Sequence, residues 1–467
     1  MTDDLAMMTA TDLVTHYRRK TLSPVEVTEA VLARTDRCES ALNAFCVLDG
    51  DFALAAARES EARWHTGAPL GLVDGVPTTI KDVVTAKGWP TRRGSRTSPA
   101  EGPWEVDAPA PARLREHGAV LLGKTTTPEY GWKGVTDCPL TGITRNPWNT
   151  DLTPGGSSGG AAAACATGMG ALHVGSDGGG SIRIPSAFTG VFGIKATSGR
   201  VPVFPANALG NTVHHGPMTR TVTDAALMLT VLSEPDARDW FAIPYEPRDW
   251  RVGLDDGVRG MRIAYSRNLG YAEVDPEIAA LVESAAQVLA DLGAVIEEQD
   301  PGFDNPMEAF RTNFISCLRP VVDAVPEERR DEFDPGFVHW VDIYRSKGAD
   351  DLLAAQDVRM NLGHTMNMFL DSWDLLLTPQ LPIAAFEVDA EVPAGRGMTS
   401  WVEWSPFTYP FNFTGHPAAS VPCGLTPAGL PAAIQLVGPR YREDLVLRAA
   451  RAYESAHPFQ MPPQPGI

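Results

Sequence analysis

Strand-like and helix-like stretches alternate along this chain of 467 residues, which predicts a layered α/β fold. Three observations carry that reading. Short apolar runs such as Ala119-Val120-Leu121-Leu122, Val191-Phe192-Gly193-Ile194-Lys195 and Leu375-Leu376-Leu377 have the length of buried strands. Longer stretches between them carry helical spacing, most clearly Ile278, Leu281, Val282, Ala285, Leu289 and Leu292, stopped by Gly293. No repeat, low-complexity tract or linker divides the chain, so residues 1–467 read as one domain, although length alone would suggest about three at ~150 residues each.

Residues 11–43 read as helical. Ser23-Pro24-Val25-Glu26 forms a capping box with proline at the first helical position. Phe45-Cys46-Val47-Leu48 is a short strand, and Phe52 to Trp64 a second helix, with Asp51 as its expected cap. Thr78 to Val84 is β-branched and strand-like, but Lys81 and Asp82 interrupt it. Alternation points those two to opposite faces. They read equally as solvated charges on an edge strand or as a lysine held at the rim of a buried site. Pro111 to Gly118 is a short helix before the next strand. Val222 to Leu232 is an amphipathic helix with Asp224 in its first turn, and residues 233–260 look like a surface excursion. Met261 to Tyr265 is a strand. Residues 303–372 are mostly helical, with Pro306, Pro326 and Pro335 as breaks. Residues 387–411 are irregular and aromatic. Asn412 to Gly424 and Leu430 to Gly438 hold the last strands, and Asp444 to Tyr453 the last helix.

Composition narrows the function. Lys and Arg number 39 against 58 Asp and Glu, a net charge of −19, which disfavours binding to phosphate backbones or anionic membranes. No run of 18 apolar residues is present, so no membrane span is expected. Met1-Thr2-Asp3-Asp4-Leu5-Ala6 lacks the basic and apolar regions of a secretory signal. The six cysteines contain no CxxC, and no HExxH is present. This fits reduced thiols in a cytoplasmic protein and argues against a metal site.

The chemistry-bearing stretch runs from Gly155 to Ser186. Gly155-Gly156-Ser157-Ser158-Gly159-Gly160 is followed, past a helix-prone run from Ala161 to Ala166, by Ser176-Asp177-Gly178-Gly179-Gly180-Ser181-Ile182-Arg183-Ile184-Pro185-Ser186. Glycines let a ligand approach the backbone closely. Three in succession before Ser181 can aim several N–H groups at one point, as a developing oxyanion requires. Ser181 therefore reads as a nucleophile. An isolated Gly-Ser run is more often a loop or linker, but two at this spacing, with Lys81 in a strand-like stretch, favour a site.

Two other motifs match by letter alone. Gly118 to Thr125 fits GxxxxGK[ST], yet an apolar strand fills the middle of the motif and Pro128 follows too soon for a phosphate-binding helix. Gly155 to Gly159 fits GxSxG, which would make Ser157 the nucleophile with partners such as Asp374 and His416. The apolar strand which that motif needs before its first glycine is missing.

Taken together the chain resembles the amidase signature family of serine hydrolases. The matching pieces come in family order: Gly75-Val76-Pro77 with Lys81-Asp82, Gly118-Ala119 with Gly123-Lys124-Thr125, both glycine-serine clusters, and Gly193-Ile194-Lys195. Weaker pieces are Gly216-Pro217-Met218, Gly429-Leu430-Pro431 and Gln435-Leu436-Val437-Gly438. The resemblance implies an α/β/α sandwich around a large mixed, twisted sheet. Residues 75–200 would be its catalytic core, and residues 303–410 a mostly helical or irregular substrate-pocket insertion. It makes Ser181 the nucleophile, Ser157 the bridging serine after a cis peptide bond, and Lys81 the base. The oxyanion hole would be the N–H groups around Gly178, Gly179, Gly180 and Ser181, braced by Ser158 and Asp177. Gly178 departs from the pattern, since many relatives carry Thr or Ile there.

Lysine serves as a base only when neutral, and its ordinary pKa of about 10.4 makes that cost roughly 4 kcal/mol near neutral pH. Burial lowers the cost by penalising the charged form. The expected activity is hydrolysis of linear C–N bonds in a small hydrophobic or aryl substrate through an acyl-enzyme. Carbamates or esters are further substrates of the same chemistry. Tyr130, Trp132, Trp401, Trp404 and Phe407 are candidates to line the substrate pocket, with core packing or a surface lid as the other reading. No cofactor and no metal are expected, and a monomer or homodimer acting on a small molecule is the expected state. The competing reading is the glutamine-hydrolysing subunit of an aminoacyl-tRNA amidotransferase, which would need a partner protein.

Overall fold

In the computed structural model, residues 5–206 and 208–463 are described. The first four residues of the N-terminal stretch read as lacking a secretory signal lie outside them. The strands are β1 (Phe45–Leu48), β2 (Pro77–Lys81), β3 (Val120–Thr125), β4 (Asp137–Cys138), β5 (Gly142–Ile143), β6 (Leu172–Asp177), β7 (Phe192–Lys195), β8 (His214–Thr219), β9 (Arg262–Tyr265), β10 (Val295–Glu298), β11 (Leu375–Pro379), β12 (Ala418–Leu425) and β13 (Pro431–Val437). All but β4 and β5 join one 11-stranded sheet in the order β1-β3-β2-β6-β8-β7-β12-β13-β11-β9-β10. The sheet is mixed: β3, β2 and β6 run parallel, as do β11, β9 and β10, while the central strands pair antiparallel.

Alternation along the strands feeds two cores, so helices cover both faces. On β9, Ile263 packs into a large aliphatic core and Ala264 into a separate cluster with Phe407 and Phe411. Leu375 and Leu377 of β11 join the first core and Leu376 the second. The aliphatic core is closed by the helices Val222–Leu232, Pro276–Asp291 and Glu443–Ala456.

Helix ends follow local chemistry where local chemistry is strong. Ser23 and Glu26 form the expected capping box on Pro24–Leu42. The stretch read as one helix over 11–43 is two, because Lys20 takes a left-handed φ of 56° and ends Ala10–Arg19. The second helix starts at Gly50, not Phe52. Its cap is Asp49, which accepts from the Phe52 N–H, whereas Asp51 lies inside the first turn. Residues 409–413 form a short helix where the last strands were expected to begin. Within 303–410 the helices Met307–Asp323, Pro335–Ile343 and Ala349–Leu370 precede β11, so the same segment also supplies a strand to the sheet.

The edge-strand reading of Lys81 and Asp82 is overturned. β2 lies between β3 and β6, and both residues are buried. Ile80 packs into the aliphatic core, while Lys81 points the other way, at the end of the strand.

Candidate active site

Three chain segments bring the site together. β2 delivers Lys81 at its C-terminal end. The first cluster, Gly155 to Ser158, leads into the helix Gly159–Thr167, which is buried on every side between sheet and helices. The second cluster follows β6 and leads into the helix Arg183–Thr189. A backbone hydrogen bond from Ser158 N–H to the Ser181 carbonyl (3.1 Å) ties the two clusters together. The Ser158 hydroxyl adds to it, donating to the Ser176 carbonyl (3.2 Å) and accepting from the Ser176 N–H (3.3 Å). The peptide bond Gly156–Ser157 is cis. Gly156 must be glycine, since a Cβ there would lie 2.5 Å from the Val135 carbonyl oxygen.

Lys81 is 0% exposed. Its Nζ lies 2.6 Å from Ser157 Oγ and 2.9 Å from Ser176 Oγ. Burial drives its pKa well below the ordinary lysine value, opposed by the negative charge of Asp177. Sequence reasoning missed Ser176 as a contact of Lys81. The available signal was its place beside Asp177 in the second cluster; what the sequence could not tell is that β2 and β6 are neighbours. Ser157 and Ser181 both open onto one cavity, and among the described residues no hydrogen bond joins their hydroxyls.

Asp177 organises the loop that carries Ser181. Its carboxylate accepts from the Gly180 N–H (2.7 Å), the Ile182 N–H (3.2 Å), the Asn412 amide (2.8 Å) and the Arg183 guanidinium (2.9 and 3.0 Å). Burial alone would raise its pKa. The Arg183 charge and the hydrogen bonds outweigh that and hold the carboxyl well below its usual range. Arg183 also donates to the Thr408 carbonyl, Gln435 and Asn412, so the loop is anchored to β13 and the 409–413 helix. This changes the expected donor set. The Gly180 N–H is committed to Asp177, which leaves Gly178, Gly179 and Ser181 as the loop's backbone donors without a partner among the described residues.

The cavity at the two serines has a volume of about 450 Å³. Val203, Phe204, Leu209, Val213, Phe314 and Leu318 make most of its wall apolar. Of the aromatic residues expected there, Tyr130 is present. Trp132, Trp401, Trp404 and Phe407 are not, and the pocket assignment of these four is corrected. Trp404 stacks on Phe188, Trp132 on Phe337, and Phe407 lies in the core with Phe411. Trp401 meets Phe310 and Phe314 edge-on, behind the wall. Aromatic residues in an irregular segment serve core and pocket equally well, and sequence spacing does not separate the two.

The two other motif matches also resolve. Gly118 to Thr125 is largely β3, and Lys124 is spent in a buried ion pair with Asp82 (2.8 Å) and a hydrogen bond to Thr91 (2.7 Å). His416 is buried with neither ring nitrogen bonded among the described residues, and Asp374 accepts from the Arg262 N–H at the other end of the sheet order. Among the described residues no group of three or more His, Cys, Asp or Glu is placed to hold a metal ion. No helix among them is long and apolar enough to cross a membrane.

Comparison with known proteins agrees with this architecture. A family model described as Amidase matches residues 26–447. The chain is 36% identical over 468 residues to an acylamidase of Rhodococcus erythropolis, covering 98% of this chain and 97% of the relative. It is 34% identical over 481 residues to a glutamyl-tRNA(Gln) amidotransferase subunit of Myxococcus xanthus, covering 97% of this chain and 98% of the relative. Among solved structures, a bacterial aryl acylamidase of the amidase signature family superposes with a TM-score of 0.91 at 34% identity, over 97% of this chain and 96% of that one. With the 11-stranded sheet and both glycine-serine clusters in place, these matches identify the chain as a member of the amidase signature family of hydrolases.

Proposed function

We propose that the protein is an amidase that hydrolyses linear C–N bonds of small hydrophobic or aryl substrates through an acyl-enzyme on Ser181. The observation that carries the reading is the buried Lys81 amine 2.6 Å from the Ser157 hydroxyl, at a cavity that Ser181 also lines. A serine hydroxyl needs an adjacent base, and a desolvated lysine is one. Ser157 gives its proton to the neutral Lys81 amine and takes the Ser181 proton as Ser181 Oγ attacks the carbonyl carbon. The Ser157–Ser181 hydrogen bond forms in the substrate complex, as catalytic contacts often tighten only there. The carbonyl oxygen becomes an oxyanion held by the N–H groups of Gly178, Gly179 and Ser181. The relay then reverses: the proton returns through Ser157 to the leaving nitrogen, the C–N bond breaks, and an ester on Ser181 remains. Water attacks that ester by the same path and releases the acid. Carbamates and esters follow the same steps, since each passes through the same oxyanion.

The glutamine-hydrolysing reading is supported by identity to amidotransferase subunits, such as the 34% to the Myxococcus xanthus protein. The cavity wall favours the amidase, because among the described residues no carboxylate lines it to receive the α-ammonium of glutamine. The test is to incubate the pure chain with acetanilide and with glutamine. Aniline release that disappears in Ser181→Ala supports the amidase. Ammonia from glutamine with no aniline would overturn it.

A further inference from the structure

Within the cavity, one residue has no counterpart in the mechanism above. Among the described lining residues Arg93 alone carries a permanent charge, in walls otherwise built from apolar side chains, hydroxyls, backbone, the Cys317 thiol and His215. Burial and the nearby Lys81 charge lower the pKa of His215 to about 4, so it is neutral near pH 7. Arg93 enters no ion pair and no side-chain hydrogen bond among the described residues. That is unusual in a chain of net charge −19, where carboxylates are plentiful and most buried or half-buried cations have found one.

The backbone that carries Arg93 is built, not loose. Its φ is 53°, in the left-handed region that a non-glycine residue holds only when its surroundings impose it. The surroundings do. Arg92 N–H and Gly94 N–H both donate to the Asp82 carboxylate (3.3 and 3.2 Å), which is itself held by Lys124 at 2.8 Å. Lys124 also donates to the Pro90 carbonyl (3.0 Å), and the Tyr130 N–H donates to the Arg93 carbonyl (2.7 Å). Asp82 is the residue after Lys81, and Tyr130 and Gly131 line the cavity beside Ser157. The strained loop is thus keyed to the same strand end that delivers the lysine.

We propose that Arg93 is a specificity-determining residue whose guanidinium receives a carboxylate carried by the substrate away from the scissile C–N bond. The favoured substrate class is then an amide with an apolar or aryl body and one carboxylate. A guanidinium binds carboxylate through paired, charge-assisted hydrogen bonds, and in a mostly apolar cavity those bonds are screened less than at the surface. The inference rests on the amidase reading and sharpens it.

The test compares kcat/KM for matched pairs of anilides. N-phenylglutaramate and N-phenylpentanamide differ by a carboxylate on the acyl side. (4-Acetamidophenyl)acetate and 4-propylacetanilide differ by one on the leaving side. The wild-type enzyme is expected to prefer one acid over its neutral partner by roughly 10- to 100-fold, the range of a charge-assisted bond. The preference should shrink at high salt, persist in Arg93→Lys and vanish in Arg93→Asn. Asparagine tolerates the left-handed conformation, so that variant removes the charge without breaking the loop. Equal rates within both pairs for the wild type, or a preference that survives in Arg93→Asn, would overturn the inference while leaving the amidase chemistry standing. Anilide turnover that is unaffected by Ser181→Ala would take down the amidase reading, and the inference with it.

Discussion

The Lys81 amine sits 2.6 Å from the Ser157 hydroxyl with no carboxylate in contact among the described residues, at the end of a strand enclosed on both sides by other strands. A buried ammonium usually finds a counter-ion, and Lys124, which pairs in register with Ile80 on the neighbouring strand, has one in Asp82. That difference is what supports reading Lys124 as half of a structural ion pair and Lys81 as the proposed base. In both, burial lowers the pKa, but the Asp82 charge works against it for Lys124 at contact distance, while Asp177 acts on Lys81 only from further off.

Replacing Lys81 by Ala is expected to lower amide kcat by ~10²–10⁴-fold, the range of a positioned general base. Wild-type kcat/KM should rise with pH to a plateau, with an apparent pKa below the ordinary lysine value. The stability linkage has the same direction. The unfolded chain binds the Lys81 proton over the pH range where the folded chain has released it, so stability grows as pH rises between the folded and unfolded values. A pH–rate profile and urea melts across pH 6–9 check both. A rate that climbs steadily through pH 9 with no plateau, as an ordinary lysine would give, would remove Lys81 as the base.

Arg183→Met should destabilise the fold by about 3–5 kcal/mol, because it leaves the Asp177 carboxylate buried without its ion-pair partner. Its pH signature is distinctive. In the wild type the depressed Asp177 pKa contributes stability above the unfolded value of about 3.9, lost as pH falls below it. Without Arg183, burial dominates and the pKa rises above 3.9. The variant should then be less stable at pH 8 than at pH 5, where the wild type shows little change from this group. Denaturant midpoints at the two pH values decide the matter.

Gly178 and Gly180 should respond oppositely to a methyl group. At Gly178 a Cβ would meet Phe314 at 3.6 Å and Leu209 and Val213 at 3.8 Å, which is ordinary contact. Gly178→Ala is therefore expected to fold normally and to raise KM for bulky anilides by trimming the cavity. At Gly180, φ is 132° and a Cβ would lie 2.7 Å from Thr408 Cβ. Gly180→Ala should cost about 1–3 kcal/mol from backbone strain alone and displace Ser181. Thermal melts and a substrate-size series distinguish the two variants.

His416→Gln tests the GxSxG alternative. Neither His416 ring nitrogen has a partner among the described residues, and burial with the Lys195 charge lowers its pKa to about 3. Amide kcat should stay within about threefold of wild type, because the lysine relay needs no histidine. A loss of two orders of magnitude in a folded variant would reinstate a histidine base.

Local sequence chemistry was enough to place most elements. The Ser23–Glu26 capping box, the Thr221-capped helix from Val222 to Leu232 and the proline-started helix at Pro276 stand where their residues put them, because caps and glycines act over one helical turn. The motif order from Lys81 through Ser157 to Ser181 was legible for the same reason: each cluster is a contiguous run. The choice of cap between Asp49 and Asp51 was not, since it turns on which carboxylate reaches the Phe52 N–H.

What the sequence determined by itself, then, is the alternation of elements, the family and the chemical types gathered at the site. Only the tertiary structure decided that β2 is an interior strand and its lysine buried, that Ser176 is the second contact of that lysine, and that the Gly180 N–H belongs to Asp177. It also sent Trp132, Trp401, Trp404 and Phe407 into the core, while Phe204 and Phe314 came to the cavity. The physical reason is one of range. Capping, turns and helical periodicity depend on neighbours a few residues away, whereas burial and the pKa of a lysine depend on strands paired across about a hundred residues of chain.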